Sequence, residues 1–91
     1  MVTQPRIRID TYSRQVFVHD IPVRLRAQEW NLLEALLPGK AISGDELAIA
    51  LAGKVTPRSR GLVRVNVQRI RRVLGWDCIA TLHSFGYRFD G

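Results

Sequence analysis

Apolar and polar residues alternate along Arg6–Asp10, with Ile7 and Ile9 on one face. Gln15–His19 puts Val16 and Val18 on one face and Phe17 on the other, and Ile21–Leu25 repeats the alternation in Ile21, Val23 and Leu25. A period of two over such short runs predicts three strands. Thr11–Arg14 and His19-Asp20 are the turns between them. Pro22 has no amide to donate, which predicts a short strand or one at a sheet edge. The expected sheet buries one face and turns Arg6, Arg8, Arg24 and Arg26 mostly outward.

The period then changes. Ala27–Leu37 reads as a helix with Trp30, Leu33, Leu36 and Leu37 inward and Gln28, Glu29, Asn31 and Glu34 polar, stopped by Pro38-Gly39. Ser43–Ala52 opens on an S-x-x-E capping box, Ser43 with Glu46, and a hydrophobic staple, Ile42 with Leu47. Gly53 closes it. Leu47, Leu51 and one or both of Ile49 and Ala50 are expected inside, while Ala48 and Ala52 leave an outer face small enough for close approach. The third helix, Ser59–Leu74, stops at Gly75. Its Val63, Val67, Ile70 and Leu74 are spaced by four, three and four and fall on one face. Gly61, Leu62, Val65, Gln68, Arg69 and Arg72 lie opposite, with Arg64 and Arg71 on a flank. Thr56-Pro57 suits a cap and first helical residue, which leaves an earlier start open. Cys78–Leu82 and Gly86–Phe89 read as a hairpin through His83-Ser84-Phe85. The class is α+β: an N-terminal antiparallel sheet, three helices and a C-terminal hairpin. Two helices joined by a loop, the second basic and followed by a hairpin, form the winged helix-turn-helix plan, here as one domain over residues 1–91.

Charge changes this picture most. The chain carries 14 Lys and Arg against 8 Asp and Glu, a net charge of +6. No acid falls between Leu47 and Trp76, where Lys54, Arg58, Arg60, Arg64, Arg69, Arg71 and Arg72 all lie. Positive charge confined to one helix and the loop before it is the footprint of nucleic-acid binding. A face that is merely solvated mixes both signs.

Other chemistry adds little. Cys78, the one cysteine, excludes an internal disulfide and sits in an apolar run that suits a buried, inert thiol. No apolar run approaches a membrane span and no signal-peptide core is present, so the cytoplasm is the expected compartment. His19 and His83 have no metal-ligand spacing, no glycine-rich phosphate loop follows a strand, and no nucleophile–base set can be named. No cofactor, metal or enzymatic activity is expected.

Four stretches, in order and covering about Arg6 to Asp90, resemble the winged-helix effector domain of OmpR/PhoB-type transcription factors. Val23–Leu33 is similar to that family's L-T-x-x-E-F-x-L-L, and Ala41–Leu47 to V-V-S-R-E-E-L. Val63–Leu74 is similar to V-D-V-H-I-S-R-L-R-R-K-L, and Ile79–Phe89 to I-x-T-V-R-G-V-G-Y-R-F. The resemblance implies sequence-specific binding of double-stranded DNA and transcription regulation, with the third helix in the major groove and the hairpin as a wing on backbone or minor groove. Arg69 falls on the recognition-helix arginine and would reach base edges, Val65 would meet a thymine methyl, and Leu62 and Gln68 would flank them. Arg71 and Arg72 are expected on phosphates, with Arg60 and Arg64 beside them. Thr81 would touch backbone, and Tyr87 would pack the wing against the helix. The loop Gly53–Ser59, with Lys54, Val55 and Arg58, would be a polymerase-contact loop, and two copies would sit on tandem half-sites.

This chain departs from the family pattern at several positions. Arg26 replaces a Thr cap, Arg64 an Asp, Ala52 a Trp and Val73 a Lys. His83 stands where the wing usually carries a minor-groove Arg, and Ser84 where it carries a Gly. A neutral His makes a weaker, pH-sensitive contact, so weaker minor-groove insertion is expected. The family's receiver domain has no room before the first strand, which implies a stand-alone regulator or an excised effector domain. A second reading is a winged-helix interaction module that binds RNA polymerase or another regulator, with weak or no specific DNA binding.

Overall fold

The structure, a computed structural model, describes residues 6–37 and 39–91. The elements run β1 (Ile7–Asp10), β2 (Gln15–Val18), β3 (Ile21–Val23), α1 (Ala27–Leu36), β4 (Ile42–Ser43), α2 (Gly44–Ala52), α3 (Pro57–Leu74), β5 (Ile79–Leu82) and β6 (Gly86–Phe89). Two three-stranded antiparallel sheets result, ordered β1-β2-β3 and β4-β6-β5.

The first sheet follows the alternation. Ile7 and Val16 are buried, Ile9, Val18 and Val23 pack against the core, and Pro22 lies on the edge strand opposite Phe17. Ile21 corrects the expectation, because it is 65% exposed. It pairs with Val18 at the two-residue turn, where His19 and Asp20 both take positive φ, and so lies at the rim of the sheet. On the outer face the Arg8 guanidinium sits 4.1 Å from the Phe17 ring centroid.

Helix α1 ends at Leu36, one residue early, and Pro38 of the expected stop lies outside the described residues. Its start shows a role that sequence reading missed. Arg26 has no side-chain acceptor, but the Glu29 carboxylate accepts the Arg26 backbone N–H at 2.8 Å. Glu29, expected on a polar face, is thus buried as the surviving half of a capping box. Leu32 also joins the core.

Helix α2 begins as expected, with Ser43 Oγ accepting the Glu46 N–H at 3.0 Å, and ends at Gly53, whose φ of +77° needs glycine. Its buried face is Leu47 and Ala48; Ile49 and Ala50 are exposed, and Ala48 is covered by the core itself. Ile42-Ser43 also forms β4, a strand the pattern did not predict. It pairs with β6 at Gly86, where a Cβ would stand 2.0 Å from the Ile42 carbonyl oxygen. Only glycine lets these backbones meet, and this contact ties the hairpin to the start of α2.

Helix α3 takes the earlier start, at Pro57 instead of Ser59. Thr56 Oγ1 accepts the Ser59 N–H at 3.0 Å, and Ser59 Oγ accepts the Thr56 N–H at 2.8 Å. Val63, Val67, Ile70 and Leu74 are each at most 2% exposed and meet Leu33, Leu36, Leu47 and Ile79 in one core. The hairpin strands begin at Ile79, and Cys78 just before it is fully buried, which pushes its thiol pKa up. Arg6, just before β1, reaches Asp77 at 2.6 Å, holding that carboxyl below its ordinary range. No described helix is long and apolar enough to cross a membrane, and no described cluster of His, Cys, Asp or Glu could hold a metal.

Candidate nucleic-acid interface

With its core stripe fixed, α3 turns one face outward. Val65 is 44% exposed, Gln68, Arg69 and Arg72 are exposed beside it, and Gly61 and Leu62 are half-buried. Among the described residues no carboxylate lies within 4.0 Å of Arg64, Arg69 or Arg72. The face therefore presents uncompensated cations around a small apolar centre. Lys54 is exposed and Val55 half-buried on the loop between α2 and α3, and Arg58 is exposed on the first turn of α3.

The hairpin stands beside this helix. Between them opens a cleft of about 520 Å³, lined by Arg60, Arg64, Thr81, Ser84 and Phe85 with the start of α2 at its end. Two arginines and the hydroxyl-bearing Thr81, Ser84 and Tyr87 line the trough, over a floor that includes Val63 and Leu82. One acid lines it. Asp45 Oδ1 accepts from Arg60 Nε at 3.3 Å, both side chains being exposed.

The wing turn runs Leu82 to Phe85, with Phe85 N–H on the Leu82 carbonyl at 3.0 Å. His83 is exposed at its tip, and Ser84 takes φ +60°. That left-handed geometry explains why a glycine suits the position. Tyr87 is half-buried, opposite Ile42 on one side and Thr81 on the other.

Arg71 differs from its neighbours. It was expected on a phosphate, but its guanidinium grips β5: Nε and Nη2 donate to the Ile79 carbonyl at 3.2 and 2.7 Å, and Nη2 to Thr81 Oγ1 at 2.8 Å. The structure thus puts Leu62, Val65, Gln68, Arg69 and Arg72 on the outer face of α3, gathers Arg60, Arg64 and Thr81 at the cleft beside it, leaves His83 exposed on the hairpin turn, and commits Arg71 to β5. Asn66 is a further feature that sequence reading passed over. It is buried on α3, its Nδ2 donates to the Leu62 carbonyl at 2.8 Å, and its Oδ1 has no partner.

Comparison with known proteins agrees with this architecture. Residues 20–89 match the family model described as transcriptional regulatory protein, C terminal. The response regulator protein PmrA of Pseudomonas aeruginosa is 33% identical over 86 residues, covering 92% of this chain and 39% of that protein. The DNA-binding domain of Klebsiella pneumoniae RstA, solved in complex with the RstA box, superposes with a TM-score of 0.79 at 25% identity, covering 97% of this chain and 94% of that one. The response regulator DrrB of Thermotoga maritima, an OmpR/PhoB homologue, gives a TM-score of 0.81 at 26% identity, covering 99% of this chain and 44% of that one. The chain spans about two-fifths of the length of the curated relatives it matches.

Proposed function

The chain belongs to the family of transcriptional regulatory protein C-terminal domains, and from that premise we propose that it binds double-stranded DNA sequence-specifically and regulates transcription. Helix α3 enters the major groove, and the β5–β6 wing meets the adjacent backbone and minor groove. The observation that carries this reading is the exposed face of α3, where Arg64, Arg69 and Arg72 stand around Val65 with no carboxylate partner among the described residues. Cations held that way on a core-anchored helix present their charge outward.

Arg69 reads a base edge, in the manner of an arginine bidentate to guanine O6 and N7. Val65 supplies an apolar contact, with Leu62 and Gln68 at its margins. Arg60, Arg64 and Arg72 neutralise phosphates, Thr81 donates to the backbone, and His83 makes a weak contact in the minor groove. Lys54 and Val55 on the α2–α3 loop, with Arg58 on the first turn of α3, are offered to RNA polymerase. Two copies on tandem half-sites fit a small domain whose reading helix covers only a few base pairs.

Binding should therefore weaken steeply with salt. The slope of log K against log salt is about −0.9 for each phosphate neutralised. Three phosphate contacts predict a slope near −3 by roughly that rule, measured by fluorescence anisotropy on a duplex chosen for tight binding. A flat salt dependence would refute the reading.

A further inference from the structure

We infer that Arg71 is a positioning residue, holding the wing in register with α3 and fixing the Thr81 hydroxyl as a hydrogen-bond donor to a DNA phosphate. The inference rests on the DNA-binding reading above and deepens it.

Strand β5 is the open edge of its sheet, with β6 on one side only. The Cys78 carbonyl accepts the Asp90 N–H at 2.8 Å. Backbone groups alternate in an antiparallel ladder, so the next carbonyl, that of Ile79, points away from β6. Arg71 fills that vacancy from the last turns of α3, with two N–H groups on the one oxygen. Its planar fork suits this grip, which a point-charge ammonium does not reproduce. The same Nη2 reaches Thr81 Oγ1 at 2.8 Å. Recognition helix and wing are thus clamped by a single side chain.

The clamp also decides what Thr81 can do. A guanidinium only donates, so Thr81 Oγ1 is the acceptor of that bond. The hydroxyl proton is left for another partner, and a cation behind the oxygen sharpens it as a donor. Thr81 is exposed and lines the cleft with Arg60 and Arg64. A donor facing a cationic trough is matched to an anionic oxygen. Arg71 itself is half-buried and committed, unlike the exposed Arg64, Arg69 and Arg72.

The test compares the parent with Arg71→Lys, Arg71→Gln, Thr81→Val and the Arg71→Lys/Thr81→Val double variant on the parent's best duplex, after thermal melts show each folded. Thr81→Val should weaken binding about tenfold, the size of one lost hydrogen bond to a charged group. Arg71→Lys should weaken it by a similar factor with no change in salt slope, because the charge is kept. The double variant should bind no worse than the weaker single one, since both remove the same contact. A phosphate-bound Arg71 behaves otherwise. Arg71→Lys then binds within about twofold of the parent, Arg71→Gln lowers the salt slope by about 0.9, and the losses multiply with Thr81→Val; any of these overturns the inference. Thr81→Val is exposed and nearly isosteric, so parent-like binding by that folded variant overturns it as well. A parent that selects no duplex refutes the DNA-binding reading itself, and this inference falls with it.

Discussion

Two glycine-to-alanine changes should act in opposite directions. At Gly86 a new Cβ would lie 2.0 Å from the Ile42 carbonyl oxygen, 2.9 Å from its carbon and 2.8 Å from Ser43 Cα, all backbone atoms that no rotamer can clear. Ordinary contact begins near 3.4 Å, so β4 must retreat by more than an ångström. That distance breaks its short ladder with β6 and strains the Gly44 N–H bond to the Phe85 carbonyl, now 3.1 Å. Two backbone hydrogen bonds at about 1 kcal/mol each and the Ile42–Tyr87 cross-strand pair at about 0.5 kcal/mol give a loss of roughly 2–3 kcal/mol. At Gly61, inside α3, a Cβ meets nothing within 4 Å, and alanine there should gain about 0.5–1 kcal/mol from helix propensity. A domain of this size moves by about 4–8 °C per kcal/mol. Melting followed by circular dichroism should therefore show Gly86→Ala lower by roughly 10–20 °C and Gly61→Ala higher by a few degrees. The reasoning is refuted if Gly86→Ala melts within about 2 °C of the parent, or if both variants shift the same way.

Two further outcomes follow from the same geometry. Ser84 holds φ +60° at the wing turn, and Ser84→Gly should relieve about 1 kcal/mol of left-handed strain, read as a higher denaturant midpoint at unchanged m-value. Asp45 is the acid in the cleft and occupies Arg60; Asp45→Asn should free that cation and tighten DNA binding about twofold to fivefold, the scale of a surface ion pair, in an anisotropy titration. Weaker binding by Asp45→Asn would place the phosphate strand elsewhere.

The core-facing stripe of α3 was legible because four apolar residues at spacings of four, three and four admit only one helical face. Its cationic outer face was legible because no acid interrupts Leu47 to Trp76. Helix α2 was harder. Its Leu47–Ala52 run is apolar on nearly every side, so periodicity misplaced the stripe: one or both of Ile49 and Ala50 were expected inside and Ala48 outside, whereas Ala48 is buried and the other two are exposed. Strand β4 spans two residues, too few to show a period, and exists because Gly86 lets another strand approach. Glu29 read as a surface residue because a capping box is signalled by a Ser or Thr cap, and Arg26 breaks that signature although the Glu29 half of the box forms. Spacing put Arg72 opposite the core stripe and Arg71 on a flank, but that Arg71 is committed to the hairpin shows only once the position of β5 is known.

The central claim is that α3 reads DNA through Arg69. Its most direct test is selection of binding sites from a random duplex pool at near-physiological salt, with parent and Arg69→Ala in parallel. The account predicts a sharp motif for the parent and, for Arg69→Ala, relaxed preference at one position of that motif with a loss of about 1–3 kcal/mol on the parent's best site. Equal enrichment of the same motif by both proteins would contradict it.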